Sequence, residues 1–213
     1  ILTNKINFIM ISAILLAAGQ SKRMNGENKL TKEINGIPII KYSTKNILGS
    51  AIDELIIVLG HEMEIIKNII EKNKKIKFIY NEDFKSGMAS SIRIGLKNIS
   101  KNSEAFFISL GDMPNVNQNI YNKLIKSNYN LNKKLKPEYR KEITIPTFEG
   151  KEENPILFSK FMKEKIMSVE GDCGAKKIIE ENKSKILNIP ISNSDIFLDF
   201  DTQDNFNSLW FYY

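Results

Sequence analysis

Apolar and polar positions alternate along this chain in blocks of two kinds. Short runs rich in isoleucine, leucine and valine predict buried strands at residues 12–17, 54–59, 76–80 and 105–110. Between these runs, apolar residues recur at helical spacing, which predicts helices at residues 38–48, 62–72 and 90–98. Continuous apolar strands alternating with amphipathic helices are typical of a mostly parallel sheet with helices on both faces. We therefore expect an α/β fold.

The second half of the chain continues this pattern with weaker signals. It predicts strands near residues 155–158, 185–189 and 196–198, and helices near 160–167, 174–182 and 201–209. The polar, lysine-rich stretch 128–142 is predicted to be a flexible connection. We expect a single domain over residues 10–210, with residues 1–9 as an extension upstream of Met10 that is not part of the folded domain.

Composition narrows the class of protein. A chain of 213 residues with 42% hydrophobic and 26% charged residues fits a soluble globular protein, and its longest apolar run is too short to span a bilayer. A single cysteine, Cys173, excludes an internal disulfide and suits the cytoplasm. The net charge of +6 suits an anionic ligand. The lysine clusters lack interleaved aromatic residues, so we expect neither a nucleic-acid nor a membrane partner.

The turn after the first strand is the strongest functional signal. Small residues there let backbone N–H groups converge on one cavity, and two cations follow; the residues concerned are Ala17, Ala18, Gly19, Ser21, Arg23 and Lys29. Fixed positive charge beside such a turn is what a triphosphate needs. Two other interpretations are open at this point: a secretory signal ending at Ala18, and an ordinary buried strand with surface cations.

Further polar and glycine residues follow the other predicted strands. Because ligands gather where parallel strands end, we expect two further segments to meet the turn. One is the loop that begins at Asn81 and leads through Gly87 and Ser91 into a helix that contains Gly95, and the other is the turn at Gly111 and Asp112. A carboxylate at such a position is well placed to hold Mg²⁺. Asp199 and Asp201 are a second source of carboxylates, one suited to a metal and the other to capping the last helix.

Five motifs in this order resemble the MocA-like branch of the nucleotidyltransferases, the molybdenum cofactor cytidylyltransferases. They are LAAGQSKRMNGENK at residues 16–29, GMASS at 87–91, GDMP at 111–114, GDCGA at 171–175 and DFDTQD at 199–204. The family pattern has its glycine directly after methionine, whereas Asn25 intervenes here. The resemblance implies a GT-A-like, Rossmann-like fold of three layers, α/β/α.

The resemblance also implies a reaction. CMP is transferred from CTP to the terminal phosphate of molybdopterin, pyrophosphate is released, and the recipient of the product is a molybdenum hydroxylase apoenzyme. Mg²⁺ would lie on Asp112 and Asp199, while Arg23 and Lys29 would stabilise the departing pyrophosphate. The nucleotide would contact Ala17, Ala18, Gly19, Ser21, Gly60, Gly87, Ser91 and Gly111.

The acceptor side is implied at Asn154, Pro155, Asp172 and Gly174. Here the chain departs from the family, because Glu152 and Glu153 stand where a basic residue and glycine are usual, and two acids would oppose a phosphorylated acceptor unless they face solvent. Relatives that use GTP have Gly-Gly where this chain has Ala18-Gly19, so the added methyl group favours a pyrimidine. Alternative functions are nucleotidyl transfer to a sugar or polyol phosphate, use of GTP with molybdopterin, and a non-catalytic accessory role for a molybdenum hydroxylase.

Overall fold

The computed structural model describes residues 9–21, 27–168 and 175–192. Ten strands lie in these ranges: β1 Met10–Ala17, β2 Glu33–Ile34, β3 Ile37–Pro38, β4 Glu54–Leu59, β5 Ile76–Tyr80, β6 Ser103–Leu110, β7 Ile143–Phe148, β8 Lys151–Glu152, β9 Ile156–Ser159 and β10 Ile186–Pro190. The α-helices described are α1 Ile39–Leu48, α2 Met63–Ile69, α3 Met88–Asn98, α4 Gln118–Asn132, α5 Lys163–Met167 and α6 Lys176–Glu181.

One large sheet organises these elements. Its order is β10-β7-β9-β6-β1-β4-β5, with β8 paired to β7, while β2 and β3 form a separate small hairpin. Strands β1, β4, β5, β6, β7 and β10 all run in one direction, and β8 and β9 run against them. The expected mostly parallel α/β sheet is therefore confirmed.

Two apolar layers cover the sheet, one on each face. The first contains residues of α1, α2 and α4, including Ile47, Ile66 and Leu124, which are fully buried. The second contains residues of α3, α5 and α6, such as Leu96 and Ile166. The three-layer α/β/α arrangement follows from this division, because the central strands β1, β4 and β6 bury side chains on both faces.

Strand β1 occupies the middle of the sheet, between β4 and β6. Its register with β4 is marked by a buried polar cluster at the opposite end from the Ala17 turn. Glu54 accepts hydrogen bonds from Ser12 Oγ at 2.6 Å, from the Ser100 N–H at 2.5 Å and from Lys77 Nζ at 2.8 Å. Such a satisfied buried network specifies one pairing of the strands, and thereby the height of the turn that follows β1.

The prediction of a flexible connection at residues 128–142 is wrong. Helix α4 extends to Asn132, and two of its asparagines bind the segment that returns to the sheet. Asn128 Nδ2 donates to Thr144 Oγ1 at 2.8 Å, and Asn132 exchanges hydrogen bonds with the backbone of Lys141 at 2.8 and 2.9 Å. These hydrogen bonds order a polar segment. The segment lacks the regularly spaced apolar residues from which an ordered element is usually predicted.

Other boundaries shift by a few residues. Helix α2 ends at Ile69 rather than residue 72, α3 begins at Met88 rather than 90, and the helix predicted at 160–167 is a 3₁₀ turn followed by α5. Strand β1 includes Met10. The strand and helix predicted at 196–198 and 201–209 lie outside the described residues. Among the described residues, no helix combines the length and apolar character needed to cross a membrane.

Candidate functional site

The carboxyl ends of β1, β4 and β6 are joined directly by backbone hydrogen bonds. The Gly111 N–H donates to the Leu16 carbonyl oxygen at 3.1 Å, and the His61 N–H donates to the Ala18 carbonyl oxygen at 3.3 Å. The turns after the three strands therefore meet at one edge of the sheet. This edge is where open parallel sheets collect their ligands.

The turn after β1 is open at Gly19 and strained at Ser21. A Cβ atom added at Gly19 would meet no atom of the described residues within 4 Å, so none of them closes over the backbone there. Ser21 has a φ of 50°, a conformation that a side chain disfavours, and its Oγ accepts a hydrogen bond from the Lys29 N–H at 3.0 Å. That hydrogen bond connects Ser21 to Lys29, which stand at the two ends of the segment that carries the predicted cations.

Lys29 and Asp112, both predicted site residues, lie beside each other. Its ammonium group contacts Asp112 Oδ2, and their side chains are 20% and 8% exposed. Asn28 positions the lysine from the preceding residue, since its Oδ1 accepts from the Leu30 N–H at 3.1 Å and so caps the short 3₁₀ turn. A cation and an anion brought together at a strand end can bind phosphate and metal on neighbouring atoms.

Helix α1 supports the loop that carries Asp112. Ser43 Oγ donates to the Gly111 carbonyl oxygen at 2.8 Å, and Asn46 Nδ2 donates to the Pro114 carbonyl oxygen at 2.7 Å. A Cβ atom at Gly111 would lie 3.1 Å from Ile40 Cδ1, so glycine allows the loop to approach the helix closely. Ser43 and Asn46 were not among the predicted site residues, because their chemistry is ordinary and only the fold brings them to the loop.

Gly60 forms a tight contact with Ala18. A Cβ atom at Gly60 would lie 2.8 Å from Ala18 Cβ and 2.7 Å from Phe84 Cβ. The Ala18 side chain is 5% exposed and belongs to the apolar layer that contains α3. His61, the next residue after Gly60, is partly exposed, with its ring 6.4 Å from that of Phe84.

The amino end of α3 carries a second polar cluster. Gly87 precedes the helix with a φ of 109°, which favours glycine at that position. Asn81, which follows β5 and is 3% exposed, donates to Ser90 Oγ at 2.8 Å and to Ser91 Oγ at 3.0 Å. The sequence predicts that the loop from Asn81 to Ser91 lies at the ligand edge, but it does not predict the hydrogen bonds from Asn81 to the two serines.

The predicted acceptor residues Asn154 and Pro155 lie at the same edge of the sheet. Strand β9 is antiparallel to β6 and pairs Ile156 with Ile108, so Asn154 lies opposite the end of β6 where the Asp112 loop begins. The bond between Asn154 and Pro155 is cis. Glu152 is exposed and borders a cleft of about 330 Å³ with Glu180 and Lys183, so it has a cation nearby.

Comparison with known proteins identifies the family. The MobA-like NTP transferase domain matches residues 13–186, which is most of the chain. This chain belongs to the MobA-like NTP transferase family. The matched range includes Gly19, Lys29 and Asp112 and ends at the first residue of β10.

Individual proteins are similar to this chain in sequence or in fold. The bifunctional protein GlmU of Fervidobacterium nodosum is 28% identical over 209 residues, 95% of this chain and 42% of that protein, so the chain spans less than half of its length. The Mycobacterium tuberculosis protein Rv0371c superposes with a TM-score of 0.80 at 20% identity, covering 94% of this chain and 97% of that one. Another structure of Rv0371c is a manganese complex, with a TM-score of 0.77, 18% identity and coverage of 96% and 100%.

A synthase with diphosphocytidyl in its name has the same fold as this chain. The 4-diphosphocytidyl-2C-methyl-D-erythritol synthase of Anaerococcus prevotii superposes with a TM-score of 0.72 at 19% identity, and 95% of each chain is covered. At identities of 20% or less, the similarity to these solved structures is evidence for the fold alone.

Four predicted site residues of this MobA-like chain lie outside the described residues. They are Arg23, Asp172, Gly174 and Asp199. The described chain stops at Ser192, after β10, which ends at the same edge of the sheet as β6. The Ile191 N–H donates to the Thr147 carbonyl oxygen at 2.8 Å, which holds the chain at that edge up to this point.

Proposed function

We propose that this protein transfers CMP from CTP to the terminal phosphate of molybdopterin and releases pyrophosphate. The observation that carries the proposal is the contact between Lys29 and Asp112 beside the open Gly19 turn. A triphosphate needs a cation and free backbone N–H groups, and a nearby carboxylate provides for a metal ion. Membership of the MobA-like family supports the reaction class.

The chemistry is an in-line displacement at phosphorus. A terminal oxygen of the acceptor phosphate forms a bond to the α-phosphorus of CTP, and the bond from that phosphorus to the bridging oxygen of pyrophosphate breaks. The attacking oxygen is already ionised near neutral pH, so the protein does not need a general base. Lys29, together with Arg23, stabilises negative charge on the leaving pyrophosphate, and the Gly19 turn donates backbone hydrogen bonds to it.

The residues present fit Mg²⁺. In the part of the chain that the structure describes, Asp112 uses Oδ2 for Lys29 while Oδ1 accepts no hydrogen bond, so one hard oxygen is available. No group of three or more potential ligand side chains occurs among the described residues. Mg²⁺ keeps several waters and phosphate oxygens, so Asp112 with Asp199 would suffice, and the ion would neutralise the reacting phosphates.

The choice of CTP rests on two supports. Ala18 stands where relatives that use GTP have glycine, and its methyl group is packed against Gly60, so it fixes the spacing of two loops beside the base. The fold is shared with a protein whose name includes diphosphocytidyl. With molybdopterin as acceptor, we expect pyrophosphate release to be faster with CTP than with GTP, and equal turnover would contradict the choice.

A second candidate acceptor is a sugar or polyol phosphate. The observation that raises it is the presence of Glu152 and Glu153 where the molybdenum cofactor cytidylyltransferases usually have a basic residue and glycine. Glu152 shares its cleft with the acid Glu180 as well as with Lys183, so the charges around the cleft do not decide between the two acceptors.

Asp112→Ala tests whether the protein is an enzyme or a non-catalytic carrier of the cofactor. We expect this variant to lose metal-dependent pyrophosphate release while its circular dichroism spectrum stays that of the wild type. Delivery of cofactor to a molybdenum hydroxylase that is unaffected by the substitution would favour the carrier. Lys160→Ala, which removes an exposed ion pair with Glu104 away from the site, is the matched control.

A further inference from the structure

The side-chain amide of Asn81 has a fixed orientation. Its Oδ1 accepts a hydrogen bond from the Asp83 N–H at 3.1 Å, and a backbone N–H can only donate. The oxygen end of the amide is therefore determined by chemistry, and Nδ2 must face Ser90 and Ser91. Both serine oxygens act as acceptors toward Asn81, at 2.8 and 3.0 Å.

The two serines differ in where their protons point. The Ser90 hydroxyl donates to carbonyl oxygens within the turn, those of Gly87 at 2.8 Å and Asp83 at 2.9 Å. Ser91 accepts from Asn81 and, within the described ranges, donates to no group. A hydroxyl has a single proton, so Ser91 retains a donor that is directed away from Asn81. The side chain is 4% exposed, and leaving that donor unpaired in such a place is unfavourable.

Ser91 lies at the level of the nucleotide turn. Gly95, one helical turn further along the same face of α3, rests on the sheet, because a Cβ there would lie 2.5 Å from Ile14 and 3.3 Å from Val58. One helical turn of about 5.4 Å brings Ser91 closer than Gly95 to the carboxyl end of β1. Asn81, which binds Ser91, donates its N–H to the Leu59 carbonyl oxygen at 2.8 Å, and Leu59 is paired with Ala17. The pair of Asn81 and Ser91 therefore lies level with the start of the nucleotide turn.

We infer that Asn81 is a positioning residue for base recognition, which makes Ser91 a hydrogen-bond donor toward an acceptor atom of a pyrimidine base, such as its 2-carbonyl oxygen. The inference rests on the proposed use of CTP. Asn81 would not itself contact the base. It acts through Ser91, because it fixes the direction of the Ser91 hydroxyl proton. A carboxylate at position 81 would reverse that direction, because Ser91 would then donate to it.

The test is a double-substitution cycle read by equilibrium binding of CTP with MgCl₂. Asn81→Asp keeps the acceptor for the Asp83 N–H and removes the amide donor to both Ser90 and Ser91, while Ser91→Ala removes the Ser91 hydroxyl itself. We expect each to raise the Kd for CTP by about 3- to 10-fold, the range for loss of one hydrogen bond between neutral groups. The double variant should be no weaker than the weaker-binding single variant, because both changes affect one bond.

Two controls separate base recognition from general damage. Asn98→Asp makes the same chemical change at the carboxyl end of α3, where Asn98 Nδ2 donates to the Ile94 carbonyl oxygen, and should leave the Kd for CTP unchanged. Binding of inorganic tripolyphosphate, which has no base, should be equal in the wild type, Asn81→Asp and Ser91→Ala. An effect on tripolyphosphate as large as that on CTP would overturn the inference.

The outcomes distinguish this inference from the proposed function. If the wild type releases pyrophosphate from CTP but Asn81→Asp binds CTP as tightly as the wild type, or the two effects multiply independently, the inference fails and the function stands. If the wild type binds none of CTP, UTP, GTP and ATP, both fail. Should Asn81→Asp not fold, Ser91→Ala decides alone: an unchanged Kd overturns the inference, and the expected rise supports it.

Discussion

Replacing Glu54 with glutamine tests whether the buried polar cluster fixes the pairing of β1 with β4. Oε1 of Glu54 accepts from Ser12 and Ser100, and Oε2 accepts from Lys77. A glutamine that keeps its oxygen at the Oε1 position retains the first two bonds as weaker, neutral ones. Its NH₂ group then faces the Lys77 ammonium, and that bond is lost.

The size of the effect follows from these contacts. The Glu54 side chain is 6% exposed, whereas that of Lys77 is 53% exposed. Because the lysine can turn toward water in the variant, loss of its ion pair with residue 54 costs at most about 1 kcal/mol. Weakening two charge-assisted bonds adds about 1 kcal/mol each. We expect Glu54→Gln to lower the free energy of unfolding by about 2 to 3 kcal/mol, which for a chain of 213 residues is a fall in Tm of roughly 5 to 10 °C.

The effect should depend on pH in one direction. Burial by itself raises the pKa of Glu54, but hydrogen bonds from Lys77, Ser100 and Ser12 outweigh it and leave the pKa below its ordinary value of 4.5. A lowered pKa in the folded state stabilises the protein above the pKa of the unfolded state, and this stabilisation is lost as the pH falls through the folded pKa.

Thermal unfolding of the wild type, Glu54→Gln and Lys77→Met from pH 7 down to pH 3 measures both effects. The difference in Tm between the wild type and Glu54→Gln should be constant at neutral pH and narrow below about pH 4.5. Lys77→Met should lower the free energy of unfolding by less than half as much as Glu54→Gln does. A difference that does not change with pH, or equal costs for the two variants, would refute the reasoning.

Three further predictions concern the nucleotide turn. Gly60→Ala should lower the free energy of unfolding by about 1 to 3 kcal/mol, measured by urea unfolding, because its Cβ would lie 2.8 Å from both the Cβ and the carbonyl oxygen of Ala18. Gly19→Ala should leave stability within about 0.5 kcal/mol, since its Cβ meets nothing within 4 Å, yet raise the KM for CTP; a destabilised, fully active Gly19→Ala would count against the placement of the triphosphate. Lys29→Met should reduce pyrophosphate release by about 100-fold or more, whereas Lys32→Met, which removes a pair with the exposed Glu27, should not; equal activities of these two variants would contradict the role of Lys29.

Much of the sheet could be predicted from the sequence, because its central strands are buried on both faces and read as apolar runs. Strand β7 could not, since Pro146 lies inside it and proline usually argues against an interior strand. Helix α4 was missed because its apolar face is narrow: its buried residues are Ile120, Tyr121 and Leu124. Its carboxyl end is ordered instead by asparagine hydrogen bonds, which leave no periodic signal in the sequence.

The site was partly predictable for a similar reason. Gly19, Lys29 and Asp112 follow strands, so parallel topology alone brings their loops to one edge. Ser43 depends on packing against Gly111, 68 residues further along the chain, which the sequence alone does not reveal. The proposed contributions of Arg23 and Asp199 remain predictions, as both residues lie outside the described part of the chain.

The most direct test of the proposed function is to identify the reaction product. Wild-type protein is incubated with MgCl₂ and each of CTP, GTP, ATP and UTP, against molybdopterin, inositol 1-phosphate and glucosamine 1-phosphate, and both pyrophosphate and the nucleotide adduct are measured by mass spectrometry. The account predicts a cytosine dinucleotide of molybdopterin, formed with one equivalent of pyrophosphate and absent with Asp112→Asn. Adduct formation only with a sugar or polyol phosphate, or only with GTP, would contradict it.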